Sequence, residues 1–105
     1  MKVQTKQERD FLRNHGYHPD QYYVKKNGTV AKKTKHQMVR DHLILHGSIS
    51  TWEAIQKYRA TRLAAIVFNL KDPRKENMNI TTEIRPMDGG GTYAMYHFNP
   101  QTQII

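Results

Sequence analysis

Cysteine is absent from the 105 residues. This excludes a disulfide framework and any thiolate metal site, and it fits a reducing compartment, so a cytoplasmic location is expected. No window holds the ~18–20 consecutive apolar residues that a membrane span needs. The opening MKVQTKQERDFL has no apolar run of signal-peptide length, so neither a leader nor a membrane partner is expected. Acidic residues are scarce, with 9 Asp and Glu against 17 Lys and Arg and a net charge of +8. The few carboxylates are scattered, and no nucleophile elbow or phosphate-binding glycine loop is present. An enzyme is therefore not expected, nor is a cofactor.

Hydrophobic residues make up 37% of the chain and mean hydropathy is −0.83. That is polar for a globular protein, but one Trp, six Tyr and three Phe supply more aromatic mass than disordered chains carry. The length allows one domain, or a small domain with an appendage. A pI near 9.9 favours anionic partners: nucleic acid, an acidic protein face or anionic lipid. The basic charge is densest in residues 1–34, with eight Lys and Arg against three Asp and Glu.

Residues 5–15 read as a short helix with Phe11 and Leu12 as its apolar contacts, stopped by Gly16. After a turn at His18-Pro19-Asp20, QYYVKK and TVAKK flank Asn27-Gly28. Asn-Gly between β-formers predicts a tight hairpin in which both turn residues take positive φ. Residues 1–34 are thus expected to form a helix and a basic β-hairpin, and residues 35–105 a second unit. The hairpin lysines Lys25, Lys26, Lys32 and Lys33, beside Tyr22 and Tyr23, suit either a grip on phosphate or a solubilising edge that blocks strand pairing.

Residues 35–46 follow with Met38, Val39, His42, Leu43 and Leu45 along one helical face, ended by Gly47. Ser50 and Glu53 then match a capping box, with Ile49 and Ala54 as a weak hydrophobic staple. This predicts a helix from Thr51 to about Tyr58, with Ala54, Ile55 and Tyr58 inward and Trp52 partly buried at the core edge. A break near Arg59-Ala60 leads to TRLAAIVFNLK. Here Leu63, Ala64, Val67 and Leu70 share one face, while Thr61, Arg62, Ala65, Ile66 and Asn69 share the other; Asp72-Pro73 ends the helix. In NITTEIRP, Ile80, Thr82 and Ile84 alternate with Thr81, Glu83 and Arg85. After the tip Gly89-Gly90-Gly91, TYAMYHF places Ala94, Tyr96 and Phe98 opposite Tyr93, Met95 and His97.

Three helices followed by a two-stranded hairpin is the order of a winged helix-turn-helix. The expected class is therefore α+β, a winged helix with an N-terminal helix and β-hairpin. In that arrangement a short helix crosses the next one at small residues, here Ala54, Ala60 and Ala64, and the next helix offers its outer face to a major groove ~12 Å wide. Thr61, Arg62, Ala65, Ile66 and Asn69 would then face bases, with Arg suited to guanine and Asn to adenine. Ser50, Thr51, Lys57, Arg59 and Lys71 would hold phosphates. The Gly89–Gly91 tip would lie close to the duplex, and His97 would face outward.

LHGSISTWEAIQKYRATRLAAIVFNLK resembles the phage and prophage helix-turn-helix domain family. The likeness spans roughly residues 35–98 and is strongest at His46-Gly47-Ser48-Ile49, Glu53-Ala54, Arg62-Leu63, Ala65 and Leu70; TYAMYHF is similar to the family's wing strand. It implies a phage-derived winged helix that binds double-stranded DNA and regulates transcription, excision or replication. Arg59 stands at the family's turn-glycine position, and Ile66 where an arginine often faces DNA. Residues 5–26 are similar to small uncharacterised phage proteins, which implies a mobile-element origin and no activity.

Two other readings stay open. Small basic phage proteins with such domains include anti-CRISPR inhibitors, which block a host nuclease or its guide RNA, and Ile66 with the basic N-terminal module suits that class. An architectural or RNA-binding role has only charge and tyrosines behind it. His42 and His46 have the i, i+4 spacing of a ligand pair, but no third or fourth ligand and no HExxH pattern accompany them, so a packed His42 and no metal are expected. No heptad is visible, which leaves the oligomeric state open.

Overall fold

The computed structural model describes residues 4–100. α1 (Lys6–Asn14) starts at Thr5, whose hydroxyl accepts from the Glu8 N–H at 3.2 Å. Leu12 is its fully buried residue, whereas Phe11 is 40% exposed rather than packed. β1 (Tyr22–Val24) and β2 (Val30–Lys32) pair antiparallel with Val24 opposite Val30. The turn between them is longer than a two-residue one. Lys25 N–H donates to Thr29 O at 2.7 Å and Gly28 N–H to Lys25 O at 2.9 Å, leaving three residues in the loop. Of the Asn-Gly pair only Gly28 takes positive φ, at 88°. The Asn27 side chain instead accepts from the Thr29 N–H and hydroxyl, an Asx-type bond that fixes the bend.

α2 (Lys35–His46) opens with a capping box between Thr34 and Gln37 and closes at Gly47, φ 83°. Met38, Val39, His42 and Leu43 are buried as the spacing requires, but Leu45 lies outward at 40% exposure and Asp41 takes an inner place. β3 (Ser48–Ser50) leads into α3 (Thr51–Tyr58), where the Ser50–Glu53 capping box forms in both directions. α4 (Leu63–Lys71) is followed by β4 (Ile80–Pro86) and β5 (Thr92–Phe98). The sheet is three-stranded in the order β3-β5-β4, with Ile49 opposite Tyr96 and Thr82 opposite Tyr96. The two-stranded wing expected from the alternation thus gains a third strand.

One core joins α2, β3, α3, α4 and the sheet: Val39, Leu43, Ile49, Ala54, Leu63, Val67 and Leu70 with Met78, Ile80 and Tyr96. Met78, in the loop after α4, is held by its N–H donating to Leu70 O at 2.9 Å. The alternation in β4 is real, but the outer half of the hairpin projects past the core, so Ile84 is 62% exposed.

A buried ion pair fastens the N-terminal hairpin to this core. Lys33 Nζ lies 2.8 Å from Asp41 Oδ2, with the two side chains 3% and 9% exposed. Arg40 adds a contact to Asp41 at 3.1 Å and one to Glu76 at 3.5 Å. Arg9 meets Asp20 at 2.9 Å. Burial raises the Asp20 carboxyl, but the Arg9 hydrogen bond and charge outweigh it and hold the group below the ordinary carboxylate value. Gln21 Nε2 donates to Lys57 O at 3.1 Å, tying the hairpin to the end of α3.

Candidate nucleic-acid interface

The surface follows from how α3 turns into α4. Arg59 ends α3 in the left-handed region at φ 54°, and its N–H donates to Ile55 O. Ala60, 1% exposed, follows with its N–H on Ala54 O at 3.0 Å. Ala54 and Ala60 thus supply the close crossing, while Ala64, expected with them, is exposed. A non-glycine residue at this φ costs about 1–2 kcal/mol. Arg59→Gly is therefore expected to stabilise the protein by about 1 kcal/mol, raising Tm by roughly 4–8 °C in a thermal melt.

Thr61 and Arg62 precede α4 instead of lying within it, Arg62 being its N-cap without a side-chain capping bond. Leu63, Val67 and Leu70 bury one side of the helix. The arc turned away from them carries Thr61, Arg62, Ala65 and Asn69, of which Asn69 is half-buried. Its centre also holds Phe68, 75% exposed, which the apolar spacing did not single out. A helical projection from Leu63, Val67 and Leu70 would have placed it there. Ile66 is half-buried and packs against the core. Asn69 Oδ1 accepts from Lys75 Nζ at 3.2 Å.

Each flank of α4 borders a cleft. On one side Thr61, Arg62, Ala65, Ile66 and Asn69 meet Lys35 and His36 of α2. On the other, Ala64, Phe68 and Lys71 face Thr82 and Tyr96 of the sheet across a groove of about 550 Å³. The hairpin tip extends beyond, with Gly89, Gly90 and Gly91 at φ 86°, 106° and 82° and Met87 N–H donating to Gly91 O. Three successive left-handed residues explain why this tip is all glycine.

Arginines away from α4 are mostly neutralised: Arg9 by Asp20, Arg13 by Asp10, Arg40 by Asp41, Arg74 by Asp72 and Arg85 by Glu83. Lys57, Arg59, Arg62 and Lys71 are exposed and have no carboxylate partner among the described residues. The same holds for Lys25, Lys26 and Lys32 on the hairpin. Lys33 differs from its neighbours, because its ammonium is buried on Asp41 and is not part of the basic surface. The hydroxyls of Ser50 and Thr51 are also turned to internal work. Ser50, 7% exposed, caps α3, and Thr51 Oγ1 donates to Ala94 O at 3.3 Å. His97 Nε2 lies 2.9 Å from Glu83 Oε1. Hydrogen bonds from Arg85 and then His97 hold the Glu83 carboxyl below its ordinary value. Trp52, expected at the core edge, is 48% exposed.

His42 is buried beneath this surface. Its Nδ1 lies 2.7 Å from the Tyr58 hydroxyl and its Nε2 3.7 Å from Glu53 Oε2, which fits a neutral ring protonated on Nε2, with Tyr58 donating to Nδ1. Burial, then the charge of His46, pushes His42 below its ordinary value of 6.5. Burial likewise raises the Tyr58 phenol. Because the folded His42 resists protonation, the unfolded chain binds the extra proton. Stability is therefore full above about pH 6.5 and declines as pH falls from there towards the lower folded-state value. Thermal melts from pH 7.5 downward should show this acid-side decline, and His42→Gln should flatten it.

The winged helix-turn-helix domain family matches residues 34–100, from the cap of α2 through β5, leaving α1 and the first hairpin outside the match. No curated protein and no solved structure matches the chain.

Proposed function

The chain belongs to the winged helix-turn-helix family, and from that premise we propose that it binds double-stranded DNA, with α4 in the major groove and the β4–β5 hairpin on the adjacent backbone. The observation that carries this reading is the placement of charge. The cations left without carboxylate partners include Arg62 at the start of α4, Lys71 at its end and Lys57 and Arg59 at the preceding turn. Arg62 and Asn69 would meet base edges, and Ala65 and Phe68 would lie against thymine methyl groups. The resemblance of roughly residues 35–98 to phage and prophage domains supports a role in transcription, excision or replication of a mobile element. In gel shifts on a duplex, affinity should fall by about two to three orders of magnitude between roughly 50 and 200 mM salt, as expected for four or five neutralised phosphates. Affinity indifferent to salt would contradict it.

A second reading is favoured by one observation. Phe68, 75% exposed, and Trp52, 48% exposed, are aromatic anchors of the kind found at protein interfaces. An anti-CRISPR inhibitor that seats them on a host nuclease would co-purify with that nuclease and would tolerate Arg62→Ala.

A further inference from the structure

The hairpin outside the family match borders a groove that the winged helix alone would not possess. Lys32 of β2, Lys57 of α3 and Arg59 of the turn line it together, with Gln21 beside them and the buried Tyr58 and Met38 at its floor. Among the described residues no carboxylate lines it. Lys32 is not free to wander from this place. The next residue, Lys33, is locked on Asp41 at 2.8 Å, and Gln21 is bonded to the backbone of Lys57 itself. Arg59 is exposed and ends α3 in a left-handed conformation, φ 54°, that glycine would adopt without strain.

We propose that this groove is a phosphate-binding site for the DNA backbone, built jointly by the N-terminal hairpin and the helix-turn-helix. It rests on the DNA-binding reading above and extends it. Arg59 adjoins Ala60, which lines the cleft shared by Arg62 and Lys35, so the groove lies on the flank of α4 away from the β4–β5 hairpin. The duplex is gripped on both sides of the inserted helix: by the wing on one, and by Lys32, Lys57 and Arg59 on the other. The ligand is a phosphodiester, recognised as charge without base identity.

The test is the salt dependence of binding to one duplex DNA, read by fluorescence anisotropy for wild type and for Lys32→Gln, Lys57→Gln and Arg59→Gln. Each substitution should lower the slope of log K against log salt by about 0.9, the amount expected for one lost phosphate contact. Lys6→Gln, at the start of α1 and outside the groove, should leave it unchanged. Arg59→Gly should melt higher than wild type yet lose the same slope, which separates phosphate binding from damage to the fold. Wild-type slopes in the groove variants, or an equal loss in Lys6→Gln, overturn the groove while leaving DNA binding intact. A slope change confined to single-stranded RNA of the same sequence also overturns it. Failure of the wild type to bind the duplex overturns both readings.

Discussion

Asp41→Ala is expected to lower stability by about 3–5 kcal/mol in urea unfolding, because it leaves a buried ammonium without its counter-charge. Among the described residues, Lys33 Nζ would keep only the Gln4 amide oxygen, 3.4 Å away, as a partner. The reverse change should be milder: Lys33→Met leaves Asp41 facing Arg40 at 3.1 Å, so its carboxylate stays compensated. Combining Lys33→Met with Asp41→Leu should restore most of the loss, since replacing a buried pair by apolar groups of similar size is often neutral or better. The same ion pair positions Lys32, so Asp41→Ala should also weaken duplex binding. Loss in Asp41→Ala no greater than in Lys33→Met would show that this pair does not anchor the hairpin.

Arg62→Ala should reduce affinity for duplex DNA by about 10- to 100-fold and blunt sequence preference, the effect expected of one lost base-edge contact. Its side chain makes no capping bond and is exposed, so the melting temperature should stay within about 2–4 °C of wild type, the small effect typical of surface changes. Arg62→Lys should recover only part of the affinity, because an ammonium keeps the charge but lacks the two-pronged donor geometry of guanidinium. Asn69→Ala should cost less, because the Asn69 carbonyl is already engaged by Lys75. Unchanged affinity in Arg62→Ala would favour the protein-partner reading.

Much of this architecture was readable from residues alone. The Ser50–Glu53 box located the start of α3, Gly47 the end of α2, and the period of Leu63, Val67 and Leu70 the buried side of α4, because each is a local rule that tertiary packing did not override. What was missed is non-local. β3 has one apolar residue in Ser48-Ile49-Ser50 and is a strand only because residues 95–97 pair with it. Lys33 looks like Lys32 in sequence; what separates them is a carboxylate eight residues on, in another element. Alternation placed Ile84 on the same side of the strand as Ile80, as the register does, but it carries no information on where the core stops, and Ile84 lies beyond it. Phe68 was legible, since its position opposite the buried residues follows from helical geometry. Arg59 at a turn-glycine position was visible, and its strain became evident only from the backbone angle.

An amide NMR titration with a short duplex tests, residue by residue, whether α4 and its flanks form the DNA-contacting surface. Shifts should concentrate at residues 57–71, at Lys32 and its neighbours, and at the Gly89–Gly91 tip, all shrinking as salt rises. Shifts centred on α1 and the β1–β2 loop, with α4 silent, would contradict it.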